Sequence, residues 1–384
     1  MTEKLYYKDS YMKEFIARVE SCAECDGKYD VILDKTAFFP EEGGQYCDTG
    51  IINGVKVLSV KEIGGVIHHI TESGLEVGKE VLCKLDFDER FEKMQAHSGE
   101  HILSGIINKL YGLDNVGFHL GADVVTMDVS KPLTRAELDR VEELANEVVY
   151  ANVEITAEFP TAEELRNMEY RSKLDLTENV RIVKIGKFDS CACCAPHVNY
   201  TGEIGAIKIL DFAKIRGGTR IFIAVGRRAM RAFAELYRNA QAISEALSLP
   251  KGEIVSGVLK LQSDLSELKN EYSAYRKEIV LKKAEDMPKI DGNALVIISG
   301  GMDEMIGFAN VATEKVAGVL VILSGKDGEY KYVISSNNVD LRQESKEINK
   351  SLLGRGGGKP NMIQGSFASS LEEIKEYFNP SYQA

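Results

Sequence analysis

The sequence of 384 residues predicts an α+β protein built from four consecutive units. Three features favour this class: β-branched runs separated by turn residues at the start, strands alternating with helices in the middle, and apolar residues at heptad spacing further on. We expect an N-terminal small β-barrel over residues 1–90, an α/β sandwich over 91–225, a helical coiled-coil arm over 226–289 and a C-terminal α/β domain over 290–384.

Composition limits where the protein acts and what it binds. The chain has 47 basic and 59 acidic residues, a net charge of −12, so a nucleic-acid partner needs local basic patches. Such patches lie at Arg216 and Arg220 and, near the end, at Arg355 and Lys359. No apolar run is long enough to span a bilayer and the first residues lack a signal-peptide core. We therefore expect no membrane association and a cytoplasmic location.

Turn residues at Asn53-Gly54 and Gly64-Gly65 separate β-branched runs in the first unit and predict antiparallel hairpins. The expected strands are Tyr29–Leu33, Ile51–Ile52, Val55–Ile63, Val66–Ile70 and Val81–Leu85. Between the first two of them, Gly43 and Gly44 mark either an ordinary turn or a loop that lets a ligand approach the backbone, with Thr36 and Gln45 supplying hydrogen bonds. The residues alone leave both interpretations open.

The second unit begins with a helical pattern from Phe91 to about Leu110, which contains His97-Ser-Gly-Glu-His101. Residues four apart share one helix face, so the two histidines can offer two imidazoles to one metal ion. The same five residues match H-x-x-E-H, the inverted zinc-peptidase pattern, in which Glu100 is the general base. The other interpretation of Glu100 is a solvated carboxylate on the helix face.

A second pair of metal ligands is predicted in the cysteine-rich segment. Cys193 and His197 are also four apart, and with the two histidines they complete a Cys/His₃ set of the kind that zinc accepts. We expect this pair on a loop between two strands. Cys191 and Cys194 compete for the thiol position, and the odd count of seven cysteines favours metal or redox chemistry over disulfides.

Local signals predict the remaining helices. Capping boxes at Thr134-Arg-Ala-Glu137 and Thr161-Ala-Glu-Glu164 open two of them. Beyond Gly226, apolar residues follow alternating steps of four and three, which indicates either a buried helix stripe or the seam of a hairpin or dimer arm. These residues are Ile254, Val258, Leu261, Leu265, Leu268, Tyr272, Tyr275 and Ile279. We expect the helix to end near Asp286–Pro288.

The last unit alternates strands and helices and then reaches a glycine-rich run, Gly354–Gly365. We expect its glycines, with Arg355 and Lys359, to form a backbone nest for phosphate. The run matches neither a Walker A loop nor a dinucleotide fingerprint, so the sequence does not indicate nucleoside triphosphate or NAD chemistry.

Taken together, Thr36 through Asp48, the histidine pair and Cys193-x-x-x-His197 resemble the editing domain of alanyl-tRNA synthetase and the free-standing alanyl-tRNA editing proteins of the AlaX type. The resemblance covers roughly residues 1–225. The final unit, with its glycine-rich run, resembles the DHHA1 domain of the synthetase C-terminus and of the long editing proteins.

The resemblance implies a hydrolase that deacylates tRNA(Ala) mischarged with serine or glycine and acts in trans. One Zn²⁺ would be held by His97, His101, Cys193 and His197. Thr36 would sense the substrate hydroxyl and would border the substrate together with Gly43, Gly44 and Gln45. Glu100, Thr36 and Gln45 are the residues implied in catalysis, with Glu100 as a general base or a supporting group. A homodimer through the helical arm and the C-terminal domain is a further expectation.

The sequence departs from the family at two places. The family loop usually runs Pro-Glu-Gly-Gly-Gly-Gln, and Glu42 replaces the first of those glycines, which makes any positive φ there harder to reach. The usual Cys-Gly-Gly-Thr-His is Cys-Cys-Ala-Pro-His here, which adds Cys194 next to Cys193. A zinc metallopeptidase and a non-catalytic tRNA-binding protein are the alternatives.

Overall fold

The computed structural model describes residues 1–121, 124–172 and 180–384, and the chain forms two compact units, Met1–Ala242 and Ile243–Ala384. Both units mix helices with strands, and the strands of the chain form several sheets, so the α+β class is confirmed. The finer division into four units stays a prediction. Among the described residues, no helix combines the length and the apolarity needed to cross a membrane.

The first unit contains strands β1 to β15 and helices α1 to α3, and α4 includes the boundary between the units. The strands are, in order, Glu3–Lys4, Glu14–Cys25, Lys28–Leu33, Lys35–Thr36, Gly50–Ile52, Val55–Ile63, Val66–Thr71, Glu80–Leu85, Asn115–Leu120, Val125–Val129, Ile155–Glu158, Ile182–Ile185, Asp189–Ala192, Ile207–Ile215 and Gly218–Val225. The helices α1 to α4 are Phe87–Tyr111, Arg135–Tyr150, Ala162–Asn167 and Arg227–Leu247.

Six strands of the first unit form a closed antiparallel sheet in the order β2-β3-β7-β6-β5-β8. Alternate residues point inward, as the buried Phe15, Ala17 and Val19 of β2 show. The sequence analysis did not predict the twelve-residue strand β2, because the apolar Ile16 occupies an outward position and obscures the alternation. The five strands that the hairpin signals predicted are present as β3, β5, β6, β7 and β8.

The following segment builds a four-stranded antiparallel sheet, β14-β15-β10-β9, against which α1 and α2 pack. Apolar residues of both helices and all four strands form one buried core. Both predicted capping boxes are present: Thr134 caps α2 and Thr161 caps α3. A separate three-stranded sheet, β11-β12-β13, leads into the cysteine-rich loop, so Cys193 directly follows β13.

The second unit consists of helices around one six-stranded sheet, β19-β20-β18-β17-β16-β21. Its strands β16 to β21 are Ala294–Ile297, Leu320–Ser324, Tyr330–Ser335, Gly354–Lys359, Met362–Phe367 and Tyr382–Gln383. Its helices α5 to α8 are Ile254–Asp286, Met302–Ala312, Leu341–Ser351 and Leu371–Phe378. Helix α5 ends where the proline signal predicted.

The expected phosphate nest at Gly354–Lys359 is wrong. These residues form the edge strand β19, which pairs antiparallel with β20, so its backbone extends along a ladder instead of curling around an anion. The glycines allow β19 and β20 to approach each other closely, because a Cβ at Gly356 would lie 2.3 Å from the carbonyl oxygen of Gln364.

Candidate metal centre

Helix α1 carries half of the candidate centre. Its 25 residues end at Gly112, which adopts the left-handed φ of 63° typical of a helix C-terminus. His97 and His101 are both buried, and their ring centroids lie 5.5 Å apart. Because they are one turn apart, both imidazoles leave the same face of the helix.

The loop after β13 supplies the other half. The ring of His197 lies 4.7 Å from that of His101 and 5.1 Å from that of His97. The Sγ atom of Cys193 is 3.5 Å from His97 Nε2 and 3.3 Å from His197 Nε2. One potential ligand atom from each of the four residues lies within 4.8 Å of the others. The structure therefore brings together all four residues that the sequence proposed as ligands.

Each of the three histidines is oriented through its Nδ1 atom. The partners, all at 2.9 Å, are Gln45 Oε1 for His97, Asp189 Oδ2 for His101 and Ser98 Oγ for His197. A neutral imidazole that donates from Nδ1 presents the lone pair of Nε2. The three Nε2 atoms are thus prepared to face one ion, together with the Cys193 thiol.

Asp189 is itself held in place from two sides. A Cβ at Gly105 would lie 2.5 Å from the Phe188 carbonyl oxygen, so this glycine lets α1 approach β13 closely enough for Asp189 to reach His101. Arg171 forms a two-pronged ion pair with Asp189, at 2.8 and 2.9 Å. Burial raises the pKa of Asp189, but hydrogen bonds from His101 and Arg171 outweigh it and lower the pKa below its ordinary value.

The electrostatics of the cluster favour a thiolate. Burial alone would raise the pKa of Cys193, but the three neighbouring imidazoles hold that pKa well below its usual value. Burial lowers the pKa of His197 to about 3, so this imidazole is neutral. Burial also opposes the charge on His101, yet Cys193 and Asp189 raise its pKa well above the usual value. A thiolate is the metal-binding form of cysteine. A cation bound to the Cys193 thiolate would replace the proton that His101 otherwise holds beside it.

A cavity of about 400 Å³ opens beside the cluster. His97, His101 and Cys193 line it, and so does Glu100. Glu100 is buried and accepts hydrogen bonds from Ser104 and Asn115, so its interpretation as a solvated carboxylate is wrong. The lining also includes aromatic and basic residues: Tyr7, Phe118, Phe159, Arg171 and Arg181.

Gly43 and Gly44 form a two-residue turn next to the cluster. Their φ angles are 63° and 79°, and Glu42 and Gln45 exchange backbone hydrogen bonds across them, as in a type I′ hairpin. Glu42 needs no positive φ, so its replacement of a glycine costs the loop nothing. A Cβ at Gly44 would lie 2.3 Å from the Phe118 carbonyl oxygen, whereas one at Gly43 would meet His97 and Cys194 at 4.0 and 3.4 Å.

Thr36 is not brought to the cavity. Its side chain is completely buried, lies 2.9 Å from His69 Nε2, and accepts a hydrogen bond from the Phe38 backbone. His69 donates from Nδ1 to the Val31 carbonyl, and burial lowers its pKa to about 4, so its Nε2 is an acceptor. Thr36 therefore donates its hydroxyl proton to His69, and both of its hydrogen-bonding functions are used inside the protein.

The two competing thiols differ from Cys193. Burial raises the pKa of Cys194, which also contacts Glu42 through its side chain, so Cys194 is a neutral thiol. Cys191 lies near His101 and Asp189 in a second group of possible ligands that shares His101 with the first. Burial raises the pKa of Cys191 as well.

The four proposed tRNA-binding residues are exposed and lie in different units. Arg216 and Arg220 belong to the hairpin of β14 and β15 in the first unit, and Arg220 forms a two-pronged ion pair with Asp128 at 2.8 Å. Arg355 and Lys359 lie on the edge strand β19 of the second unit.

Sequence reasoning missed the residues that orient the cluster. Ser98, Asp189 and Arg171 stand at no recognisable motif spacing from the ligands that they support. A weak signal exists at Asp189, which is the acidic residue nearest the cysteine-rich segment. Its contact with a histidine 88 positions away depends on the fold alone.

Comparisons with known proteins place these features in one family. The family of class II tRNA synthetases (A) matches residues 2–89, and the second additional domain of threonyl and alanyl tRNA synthetases matches residues 180–221. The alanyl-tRNA editing protein AlaX-L of Pyrococcus horikoshii is 30% identical and is aligned over 97% of this chain and 96% of its own length. The chain belongs to the AlaX-type alanyl-tRNA editing proteins.

The chain is also similar to alanine–tRNA ligases. The alanine–tRNA ligase of Ignicoccus hospitalis is 31% identical over 94% of this chain, and that of Thermococcus kodakarensis is 32% identical over 98%. The chain spans only 40% and 43% of the lengths of those two ligases. Residues 2–89 and 180–221, which the family models match, contain the Gly43-Gly44 turn and the Cys193/His197 loop.

Proposed function

We propose that the protein is a trans-acting, zinc-dependent hydrolase that cleaves the aminoacyl ester of tRNA(Ala) carrying serine or glycine. The observation that carries the proposal is the closed cluster of three imidazoles and one thiol beside a cavity, in a chain of the AlaX-type family. The P. horikoshii relative, named an alanyl-tRNA editing protein, aligns over nearly its whole length. The cluster and the cavity beside it fit ester hydrolysis, so we propose editing as the activity.

The donor set fits one Zn²⁺. Zinc takes tetrahedral sets of imidazole nitrogen and thiolate sulfur, and each imidazole here is already oriented through Nδ1. His97, His101, Cys193 and His197 would hold the ion. When bound, zinc polarises a carbonyl or lowers the pKa of a bound water.

The surrounding residues would bind and orient the ester. Gln45 Oε1 accepts a hydrogen bond from His97 Nδ1, and its buried Nε2 has no hydrogen-bond partner among the described residues; because Gln45 does not line the cavity, it would act through the imidazole that it orients. The Gly43-Gly44 turn leaves room beside His97 for the aminoacyl group. Glu100 faces the cavity from the same helix as the two histidines and is placed to accept a proton or to hold the ester in register.

The arrangement favours an editing hydrolase over the two alternatives. An inverted zinc peptidase needs a carboxylate as third ligand, whereas here Cys193 and His197 complete the cluster and Ser104 and Asn115 already engage Glu100. A non-catalytic tRNA-binding protein would have no use for a half-buried thiolate with three oriented imidazoles beside a cavity.

We further propose tRNA as the partner of the exposed cations Arg216, Arg220, Arg355 and Lys359. The overall charge of −12 opposes nucleic-acid binding, so these local patches have to supply the attraction. In this proposal residues 290–384 act as a DHHA1-like domain, and residues 226–289 as the helical arm that joins it to the barrel and editing domains of residues 1–90 and 91–225.

The second copy of the chain is proposed to bind through helix α5. Its heptad residues Leu261, Leu265, Leu268, Tyr272 and Tyr275 are 53–65% exposed, so the described part of the chain leaves this stripe uncovered. Acidic residues flank one side of the stripe, at Asp264, Glu271 and Glu278, and basic residues flank the other, at Lys269 and Arg276. In a parallel pair of helices each acidic side faces the partner's basic side, whereas an antiparallel pair sets like charges together. We therefore propose a parallel coiled coil.

The proposed function is tested with the purified full-length protein. We expect about one zinc per chain and faster release of serine or glycine than of alanine from charged tRNA(Ala). Cys193→Ala is expected to lose zinc and to reduce the deacylation rate about a hundredfold or more, because it removes a metal ligand. Cys194→Ala is the matched control and should keep both within a few-fold, since its thiol is protonated.

Three results would contradict the proposal. Cleavage of a peptide library without deacylation would support the peptidase, and tight tRNA binding without turnover would support the binding protein. Loss of zinc from Cys194→Ala with zinc retained in Cys193→Ala would overturn the ligand assignment.

A further inference from the structure

Glu42 occupies a position from which a carboxylate can reach the reacting ester. It pairs with Gln45 across the Gly43-Gly44 turn, with backbone hydrogen bonds of 3.0 and 3.1 Å in both directions. Residues directly opposite in such a pair project from the same face, with Cβ atoms about 5 Å apart. Gln45 uses that face to hold His97, so the Glu42 side chain starts close to a proposed zinc ligand.

The Glu42 side chain is exposed, lines the cavity and is aimed by a contact with the Cys194 thiol. The other carboxylate of the cavity lining, Glu100, is buried and already accepts hydrogen bonds from Ser104 and Asn115. Glu42 is therefore the lining carboxylate that is open to a ligand from solvent.

The basic residues of the same cavity restrict how a charged substrate can lie. Arg171 is committed to Asp189, and Arg181 donates to the carbonyl oxygens of Cys193 and Ala195. Both guanidiniums remain positive, so they repel a cationic group from their side of the cavity. Electrostatic repulsion from the two guanidiniums therefore favours a position near Glu42 for an ammonium group in this cavity.

We infer that Glu42 is a specificity-determining residue that binds the α-ammonium group of the aminoacyl ester. This inference rests on the proposed function, because it takes an aminoacyl ester as the ligand. The contact holds the ester carbonyl toward the metal cluster and selects esters with a free amino group over acyl groups without one. No bond is made or broken at Glu42, so its effect falls on substrate binding and orientation.

The test compares two esters of the same tRNA(Ala) in a two-by-two design. One ester is seryl, and the other is glyceroyl, in which a hydroxyl replaces the α-ammonium group. Wild type and Glu42→Gln are assayed on both, because the ratio of ratios cancels the intrinsic reactivities of the two esters. We expect Glu42→Gln to raise KM for the seryl ester about ten- to a hundredfold, the range for loss of one charged hydrogen bond, with little change for the glyceroyl ester.

Two matched variants complete the design. Glu41→Gln removes a neighbouring exposed carboxylate that does not line the cavity, and it should behave as wild type. Glu42→Gly installs the residue usual in the family loop and should reproduce the effect of Glu42→Gln. Zinc content of all variants checks that the metal cluster is intact.

The outcomes separate this inference from the proposed function. If the wild type hydrolyses the seryl ester and the Glu42 variants discriminate between the two esters to the same degree as the wild type, the role of Glu42 is overturned. The proposed function would stand in that case. An equal loss of kcat on both esters would also overturn the role of Glu42, since that result indicates a catalytic or structural role. A wild type that hydrolyses neither ester would overturn the proposed function together with the inference.

Discussion

At the scale of single residues, the centre is organised by partners that are themselves fixed. Each imidazole depends on a second residue, and Asp189 depends in turn on Arg171 and on the absence of a side chain at Gly105. Such layered support fixes the direction of each Nε2 lone pair before an ion arrives. It also explains why α1 carries many buried polar residues, which most helices expose to solvent.

Thr36 illustrates how burial can separate structural from functional roles. Thr36→Val removes the donor to His69 Nε2 and leaves the Phe38 N–H unpaired, so we expect the free energy of unfolding to fall by about 1–3 kcal/mol. Chemical denaturation measures this change. If Thr36 also senses the substrate hydroxyl, the rate on seryl-tRNA falls relative to that on glycyl-tRNA.

The control for Thr36 is Thr71→Val, which alters a completely buried threonine of β7 in the closed sheet. Thr71 donates to backbone carbonyls, so its loss should lower stability and leave the ratio of the two rates unchanged. An unchanged ratio in Thr36→Val would contradict the sensing role, and unchanged stability would contradict the structural one.

At the scale of elements, the two long helices differ in what they cover. Helix α1 is buried along most of its length because it packs between the four-stranded sheet and β13, whereas α5 exposes its heptad residues. A helix with an exposed apolar stripe and charged flanks gains stability from a partner helix.

The proposed parallel pairing of α5 predicts the sign of a charge reversal. Asp264→Lys places lysine opposite Lys269 of the partner subunit, so we expect dimerisation to weaken by about 1–2 kcal/mol, because two surface pairs turn from attraction to repulsion. The double variant Asp264→Lys with Lys269→Asp should recover the loss. Analytical ultracentrifugation measures the dissociation constant. A dimer strengthened by Asp264→Lys would indicate antiparallel helices, and a monomeric wild type would rule out the pairing.

At the scale of the whole molecule, all four candidate metal ligands belong to one unit. His97, His101, Cys193 and His197 all lie within Met1–Ala242, and the second unit has a core of its own. An ion that binds only the folded first unit stabilises that unit by mass action and has no direct effect on the second.

Removal of the metal should therefore affect one unfolding transition. We expect calorimetry of the full chain to show two transitions, one of which moves to lower temperature by several degrees with a chelator and returns when zinc is added. Cys193→Ala should show the lowered transition without chelator. A single transition, or equal shifts of both, would contradict independent units with the metal in the first.

The sequence by itself determined the features that depend on neighbours along the chain. Hairpin turns, capping boxes and the two i, i+4 ligand pairs are local, so their residues identify strand β3, strands β5 to β8, helices α2 and α3, and both halves of the cluster. Strand β2 was not predicted because the apolar Ile16 lies at an outward position, and the edge strand β19 was not predicted because glycine indicates a turn more often than a strand.

Only the tertiary structure decided how those local parts meet. The two halves of the cluster are 92 residues apart (193 − 101), and their contact depends on α1 packing against β13. The tertiary structure also buried Glu100, placed Asp189 against His101 and Thr36 against His69, and left Glu42 facing the cavity. Which polar side chain meets a ligand is set by burial and by approach in space, and neither is encoded in residue spacing.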